Sequence, residues 1–254
     1  PYCYELFGVS KDTDEAEPER RYKMGYLYLD NEPPEGAVRD PLHPDAVRGL
    51  GVAFSPDGVH WTDQDGPVTL ATCDGATHWM RDPNTGRWVL YGRTKHIAPE
   101  VRALHGDRAF FQRHHWGRAV RRAESEDFVR WEPDEGELIL AVDVLDDPAD
   151  EIYGMHVFPY EGIYVGLVQM FHNRAGRVWL DVQLAVSRDG VRFERLSDRS
   201  PFIPVGEFGA WDRFNNSPAN SPAVRVGEEL RFYYGGRTYR HSPYQGEDKG
   251  QRGG

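Results

Sequence analysis

One short phrase occurs three times in the chain: Ser-Pro-Asp-Gly-Val-His-Trp at residues 55–61, Ser-Glu-Asp-Phe-Val-Arg-Trp at 125–131 and Ser-Arg-Asp-Gly-Val-Arg-Phe at 187–193. The aspartate of such a phrase accepts hydrogen bonds from backbone N–H groups of a tight turn, and glycine tolerates the positive φ that the turn requires. The closing aromatic residue supplies a large side chain for burial in the next strand. Each copy therefore predicts a strand, a tight turn and a second strand.

A second repeated element is an aromatic-rich strand entered through a polar turn. Its copies lie at residues 19–28, 82–92, 159–167 and 227–236. Their aromatic residues largely alternate with other residues, as the two-residue period of a strand requires. Because the two phrases alternate over most of the chain, the sequence predicts a repeat architecture.

The fold that fits this alternation best is an all-β fold of the β-propeller type. Successive Ser-x-Asp phrases begin 70 and 62 residues apart, whereas a propeller blade takes about 40–50 residues and four strands. We expect a single domain over residues 1–254 that has five blades in the intact protein and is incomplete at the ends of this sequence. A β-sandwich is the alternative, and it fits the long, regular repeat less well.

Three long loops account for the extra length between the phrases. They lie at residues 30–48, 94–117 and 141–153, and they are rich in charged residues, proline and histidine. We expect most of the acidic run at 143–150 to be a solvated loop. The segment 97–110 is predicted to contain a short helix.

The composition excludes several classes of protein. A net charge of −11 argues against a nucleic-acid partner, and no apolar run approaches the ~20 residues of a membrane-spanning helix. Cys3 and Cys73 show neither metal-ligand spacing nor a disulfide framework, so their redox state stays open. The compartment and the oligomeric state also stay open.

The alternating strands and Ser-x-Asp-Gly-x-x-Trp hairpins resemble the five-bladed propellers of glycoside hydrolase families 32 and 43, over roughly residues 17–241. These families comprise the β-fructosidases and the arabinanase–xylosidase group, and the chain is most similar to family 32-like proteins. The resemblance implies a carbohydrate substrate whose glycosidic bond, a furanoside bond, is hydrolysed or transferred by paired carboxylates in the axial funnel. It implies no cofactor, although a structural or central Ca²⁺ is compatible with it.

The same resemblance suggests which carboxylates act. In family 32, the aspartate of an Arg-Asp-Pro phrase stabilises the transition state, and Asp82 occupies that position here. The family's acid glutamate corresponds to Glu151, although the neighbouring Cys-Pro of the family phrase is missing. The Asn-Asp-Pro-Asn phrase of the nucleophile does not occur before residue 50, which leaves Asp74 or an aspartate outside this sequence as the third carboxylate. Carboxyl groups ~5–5.5 Å apart give retention, and groups ~6.5–9.5 Å apart give inversion.

Other residues are candidates for binding the sugar. A tryptophan face stacks on a sugar ring, while histidine and arginine hold its hydroxyl groups. In family 43, a histidine from the last blade can hold a central Ca²⁺ or water, and His241 is its counterpart by position. The sequence itself shows no metal-ligand spacing. The candidate substrate-binding residues are His78, Trp79, Arg81, Arg93, His156, Trp211, Asp212, Arg237 and His241.

Three functions remain open at this point. The first is a glycoside hydrolase or transglycosidase, and the second is a catalytically inactive propeller that binds carbohydrate. The third is a sialidase-like enzyme, which needs a tyrosine nucleophile and an arginine triad such as Arg81, Arg93 and Arg237. The sequence contains no Gly-x-Ser-x-Gly elbow and no glycine-rich phosphate loop. A pair of carboxylates at the axis would favour the hydrolase, one or none the binding propeller, and three converging arginines the sialidase-like enzyme.

Overall fold

The computed structural model describes residues 2–30, 47–69, 75–108, 117–174, 177–196 and 198–241. These residues contain sixteen strands, one α-helix and one 3-10 helix, and the chain is nearly all-β with several antiparallel sheets, as predicted. The chain divides into two compact units. The first unit comprises Pro1–Thr94 and Arg121–Glu137, and the second comprises Lys95–Val120 and Leu138–Gly254.

The first sheet has four strands in chain order. They are β1 (Tyr2–Lys11), β2 (Tyr22–Asp30), β3 (Val47–Ser55) and β4 (Thr62–Asp63), and each pairs antiparallel with the next. The 3-10 helix Pro18–Arg20 precedes β2. Because β2 lies inside the sheet, four consecutive residues in its middle are buried rather than alternate ones.

The second sheet repeats this order with β5 (His78–Arg81), β6 (Trp88–Lys95), β7 (Arg118–Ser125) and β8 (Glu132–Leu140). The helix α1 (Pro99–His105) lies between β6 and β7 and confirms the predicted helix. It begins with proline at its first turn, where the missing N–H is not needed. Among the described residues, no helix has the length and apolar character that crossing a membrane requires.

The third sheet consists of β9 (Glu151–Tyr160), β10 (Ile163–Arg174), β11 (Arg177–Ser187) and β12 (Glu194–Arg195), again in chain order. A two-residue turn joins β9 to β10, and both of its residues, Glu161 and Gly162, have positive φ (47° and 82°). This is the turn type that matches the twist of paired strands. The position of Glu161 in a hairpin turn predicts a structural role for this residue, and its place in the β9–β10 turn agrees with that role.

Two short ladders follow in the last part of the chain. β13 (Ser217–Pro218) pairs with β16 (Tyr234–Gly235), and β14 (Val224–Val226) pairs with β15 (Glu229–Arg231). Leu180 of β11 bridges to Asn215, just before β13. The last segment is therefore hydrogen-bonded to the third sheet within the second unit.

Every Ser-x-Asp phrase occupies the same turn, between the third and fourth strands of its sheet. In the third copy, Asp189 Oδ1 accepts the N–H groups of Val191 and Arg192 at 2.9 and 2.8 Å and the hydroxyl of Ser187 at 2.9 Å. The same three contacts recur at Asp57 and at Asp127. The prediction of equivalent turns is confirmed.

The second copy differs at one position. Phe128 has φ 66°, where Gly58 and Gly190 have φ 79° and 72°. Its fully buried ring contacts Trp88 and Trp131 edge to face, with centroids 5.1 and 5.5 Å apart. Burial at the centre of the first unit's aromatic core offsets the backbone strain of a non-glycine residue in this conformation.

Candidate active site

Glu151, the predicted acid, is the first residue of β9 and is completely buried. Its Oε2 lies 2.5 Å from Nη1 of Arg118, and its Oε1 accepts the backbone N–H of Arg118 at 3.2 Å. A buried carboxylate needs a partner of this kind, because desolvation of an unpaired charge is costly. One residue at the start of β7 thus contacts both carboxylate oxygens.

Aromatic side chains surround this ion pair. The guanidinium carbon of Arg118 lies 4.7 Å from the ring centroid of Phe171 and 5.7 Å from that of Tyr153. The hydroxyl of Tyr153 lies 2.9 Å from Nε2 of His241, whose ring meets Phe171 edge to face at 5.3 Å. The predicted residues Glu151 and His241 therefore belong to one cluster, called here the Glu151 cluster, with Arg118, Tyr153 and Phe171.

The strand that carries Glu151 contains a β-bulge. Phe171 of β10 pairs with Glu151, Met170 with Ile152, and Gln169 with Gly154, so Tyr153 is an extra residue in β9. Bulges bend a strand and are over-represented beside active sites. This one lies two residues from Glu151, at the tyrosine that contacts His241.

Next to Glu151, on the other face of the sheet, a histidine lies between two carboxylates. His172 Nδ1 is 2.9 Å from Asp150 Oδ1, and its Nε2 is 3.1 Å from Asp181 Oδ2, with all three side chains nearly fully buried. Both contacts are ion pairs at hydrogen-bonding distance when the imidazole is protonated. The imidazole also stacks on Trp179, with centroids 4.7 Å apart.

The charge of His172 follows from these contacts. Burial opposes the charged form, but the carboxylates of Asp150 and Asp181 outweigh burial and raise the pKa of His172 to about 9. The imidazolium is therefore the state at neutral pH. It neutralises part of the negative charge that two buried carboxylates place beside the start of β9.

The acidic run before Glu151 is held by arginines. Arg195 donates to Asp146 at 2.8 Å through Nη1 and forms a second, shorter contact through Nη2, while Arg199 donates to Asp143 at 2.8 Å. The side chains of Asp146 and Asp150 are only 4% and 5% exposed. The prediction of a solvated loop is wrong for these two residues, because arginines from a later part of the chain cover them.

Asp82 follows β5 and shapes the hairpin between β5 and β6. It is buried, its Oδ1 accepts the N–H of Asn84 at 2.9 Å, and its Oδ2 accepts the hydroxyl of Thr85 at 3.1 Å. The predicted position of Asp82 at an axial funnel stays a prediction. Asp74 and Cys73 lie outside the described residues.

Four predicted binding residues lie with Asp82 in the first unit. Trp79 belongs to the aromatic core, with its ring 5.5 Å from that of Phe128. The four are His78, buried on β5; Trp79, which donates to Ser10 Oγ at 2.9 Å; Arg81, which pairs with Asp12 at 2.9 Å; and Arg93, which donates to the carbonyl of Gly75 at 2.8 Å.

The other predicted binding residues lie in the second unit. His156 is buried, with Nδ1 3.1 Å from the carbonyl of Ala219. Trp211 is half-exposed, and the carboxylate of the next residue, Asp212, accepts the hydroxyl of Tyr234 at 2.9 Å. Arg237 is exposed.

Sequence reasoning missed Arg118, His172 and Asp181. The last two carried a readable signal, since a polar residue inside an otherwise apolar strand is unusual unless it has a partner. Arg118 carried no such signal, because β7 contains several arginines near its start and nothing in the sequence distinguishes this one. Within the described ranges, no three histidine, cysteine, aspartate or glutamate side chains are arranged to hold a metal ion.

No family model and no curated protein matches the chain. Solved structures do match. One is a glycoside hydrolase, with a TM-score of 0.56 and 15% identity over 85% of this chain and 58% of the other. A thermostable family-43 glycoside hydrolase has a TM-score of 0.51 and 15% identity over 86% and 62%. An N-acetylgalactosamine deacetylase from F. plautii, in complex with blood group B trisaccharide, has a TM-score of 0.50 and 17% identity over 84% and 59%.

At these identities the likeness shows a shared fold. The chain spans about three-fifths of the length of each of these structures. Glycoside hydrolases are among the proteins with this fold, which agrees with the class that the sequence motifs suggested.

Proposed function

We propose that the protein is a glycoside hydrolase in which Glu151 is the general acid. The observation that carries the proposal is the placement of Glu151: a fully buried carboxylate at the first residue of the first strand of its sheet, held by Arg118 beside aromatic rings. A proton donor in glycoside hydrolysis requires a carboxyl group with restricted solvent and a fixed orientation. The match to glycoside hydrolase folds supports the assignment.

For the fold, we propose a single five-bladed β-propeller. Three four-stranded sheets with identical strand order and identical Ser-x-Asp turns are three blades, and the ladders β13–β16 and β14–β15 are the beginning of a fourth. Each blade of a propeller directs its first strand toward the central axis. Glu151 on β9 would then face the axial funnel.

In the proposed reaction, Glu151 protonates the oxygen of the departing sugar while a second carboxylate acts as base or nucleophile. Asp74 is the proposed second group, and Asp82 orients the sugar and tunes the acid. The proposed substrate is a furanoside. Both oxygens of Glu151 contact Arg118, so Arg118 must release one oxygen and that oxygen must take up a proton from solvent before Glu151 can donate it to a leaving group.

A screen of aryl furanosides and fructans with the wild type and Glu151→Gln tests the proposal. Glutamine keeps the shape of the side chain but removes the proton donor, so we expect activity to fall ~10²–10⁴-fold. Glu161→Gln is the matched control, since Glu161 lies exposed in the β9–β10 turn and should leave activity unchanged. Unchanged activity in Glu151→Gln would remove Glu151 from the mechanism.

One observation favours a second function, a carbohydrate-binding propeller without catalysis. Glu151 and Asp82 both have structural partners, Arg118 in one case and the turn residues Asn84 and Thr85 in the other. A carboxylate whose oxygens already accept hydrogen bonds within the protein is less available to a reacting sugar. Wild-type protein that binds oligosaccharides in calorimetry but hydrolyses none of them supports this alternative.

A further inference from the structure

A half-exposed tryptophan forms a flat surface near the end of the chain. Trp211 is 45% exposed, and its ring stacks on Tyr234 with centroids 5.3 Å apart and planes inclined by 26°. A Cβ atom at Gly236 would lie 2.6 Å from Cζ3 of Trp211, so the indole rests directly against the backbone there. Support from Tyr234 and Gly236 fixes an aromatic surface that remains open to solvent.

Arginines lie beside this surface on two neighbouring segments. The guanidinium carbons of Arg213 and Arg240 lie 5.0 and 5.8 Å from the ring centroid of Phe214, and the N–H of Phe214 donates to the carbonyl of Arg237 at 3.0 Å. Gly236, which supports Trp211, directly precedes Arg237. Trp211, Arg213 and Arg237 thus lie on two hydrogen-bonded segments and are called the patch below, with the guanidinium carbon of Arg237 5.6 Å from the ring centroid of Tyr239.

Two of these arginines have no acidic partner in the described part of the chain. Neither Arg213 nor Arg237 appears in an ion pair there, and Nε of Arg213 is buried without a hydrogen-bond acceptor. The neighbouring acid, Asp212, has its Oδ2 bonded to the hydroxyl of Tyr234. A buried N–H without an acceptor is costly, and uncompensated arginines are notable in a chain with a net charge of −11.

The patch lies at the same end of the third sheet as Glu151. Phe214 accepts the N–H of Leu180 at 2.8 Å, Leu180 pairs with Phe171, and Phe171 pairs with Glu151. Neighbouring strands are 4.7–4.9 Å apart, so three such steps place Phe214 roughly 14 Å from Glu151. An oligosaccharide that reaches Glu151 is long enough to reach the patch.

We propose that Trp211, Arg213 and Arg237 form a subsite for a uronic acid residue of the carbohydrate substrate. The planar guanidinium groups match a carboxylate with paired charged hydrogen bonds, and the indole covers the apolar face of the sugar ring. The inference rests on the proposed function in naming the substrate class, an acidic oligosaccharide. Its test needs no chemistry at Glu151.

The test is calorimetric binding of acidic and neutral tetrasaccharides. Tetragalacturonate and aldotetraouronic acid are the acidic probes, and cellotetraose and xylotetraose are their neutral counterparts. We expect the wild type to prefer an acidic probe, and to bind it more weakly as salt rises. The double variant Arg213→Met/Arg237→Met should lose about tenfold in affinity for it, equivalent to about 1.4 kcal/mol.

Trp211→Ala should also weaken binding of the acidic probe. Arg231→Met is the control, because Arg231 is an exposed arginine like Arg237 but pairs with Glu229 on the β14–β15 hairpin. Equal affinity for acidic and neutral probes, no binding of any probe, or unchanged affinity in the double variant overturns the inference. If hydrolysis depends on Glu151 but binding does not depend on the arginines, the proposed function stands and the subsite is wrong. If binding of the acidic probe depends on the arginines but no probe is hydrolysed, the subsite stands and the proposed function is wrong.

Discussion

At the scale of single residues, His172 has the least ordinary environment. Its ring is buried between Asp150 and Asp181, which favour its charged form strongly enough to overcome burial. A histidine whose pKa is raised on folding stabilises the folded state fully below its unfolded pKa, and this contribution is lost as pH rises through the folded pKa. The relevant window runs from 6.5 to about 9.

We therefore expect His172→Gln to remove part of the pH dependence of unfolding in that window. The wild type should lose stability between pH 6.5 and about 9 relative to the variant, as the imidazolium loses its proton. Denaturant unfolding at several pH values measures this. His60→Gln, which removes an exposed histidine–aspartate pair, should remove much less of the pH dependence. A ring that titrates in NMR near its ordinary value of 6.5 would contradict the assignment.

Phe128 is a second residue whose role is set by its surroundings. Truncation to alanine empties the centre of an aromatic core, and such substitutions cost about 3–5 kcal/mol. We expect a loss in this range by denaturant unfolding. Val59→Ala in the exposed first turn should change stability by less than about 0.5 kcal/mol. Equal losses in the two variants would show that the ring of Phe128 contributes little.

At the level of structural elements, arginine side chains hold the acidic segment before β9, residues 143–150, in place. Arg195 reaches Asp146 from β12, and the side chains of both residues are at most 4% exposed. Because Glu151 begins β9 directly after this segment, these ion pairs also fix the position of Glu151 at the start of the strand.

Removal of one partner from this pair should be more damaging than removal of both. Arg195→Met leaves Asp146 with Arg199, whose Nη1 lies 2.9 Å from Asp146 Oδ1, so the loss should stay below the ~3–5 kcal/mol of a fully broken buried pair. The double variant Arg195→Met/Asp146→Leu should recover most of that loss, since apolar replacement of a buried pair is often neutral. Thermal and denaturant unfolding measure both variants. A double variant that is less stable than the single one would show that the pair itself is strongly stabilising.

For the molecule as a whole, sequence patterns predicted the features that depend on contacts between residues close in sequence. The Ser-x-Asp turns and the aromatic second strands are local, since each turn is bonded within the span from Ser187 to Arg192 or its equivalents. The turns are readable because hydrogen bonds between near neighbours specify them. The loop predicted at 141–153 was too long, since β9 already begins at Glu151.

Contacts between distant parts of the chain were not predictable in the same way. Arg118 meets Glu151 across 33 positions, and Arg195 meets Asp146 across 49. The local composition predicted a solvated acidic run, because the arginines that bury Asp146 follow three further long strands, β9, β10 and β11. Strand pairing decides these contacts, and a single sequence does not encode pairing in any local pattern.

The dependence of hydrolysis on the leaving group tests the central claim about Glu151 most directly. The measurement compares wild type and Glu151→Gln on two glycosides of the same sugar, one with a dinitrophenyl and one with an alkyl leaving group. A dinitrophenolate departs without a proton, whereas an alkoxide needs one from the general acid. We expect kcat/KM to fall ~10²–10⁴-fold on the alkyl glycoside and to stay nearly unchanged on the dinitrophenyl glycoside. An equal loss on both substrates would contradict a role for Glu151 as the proton donor.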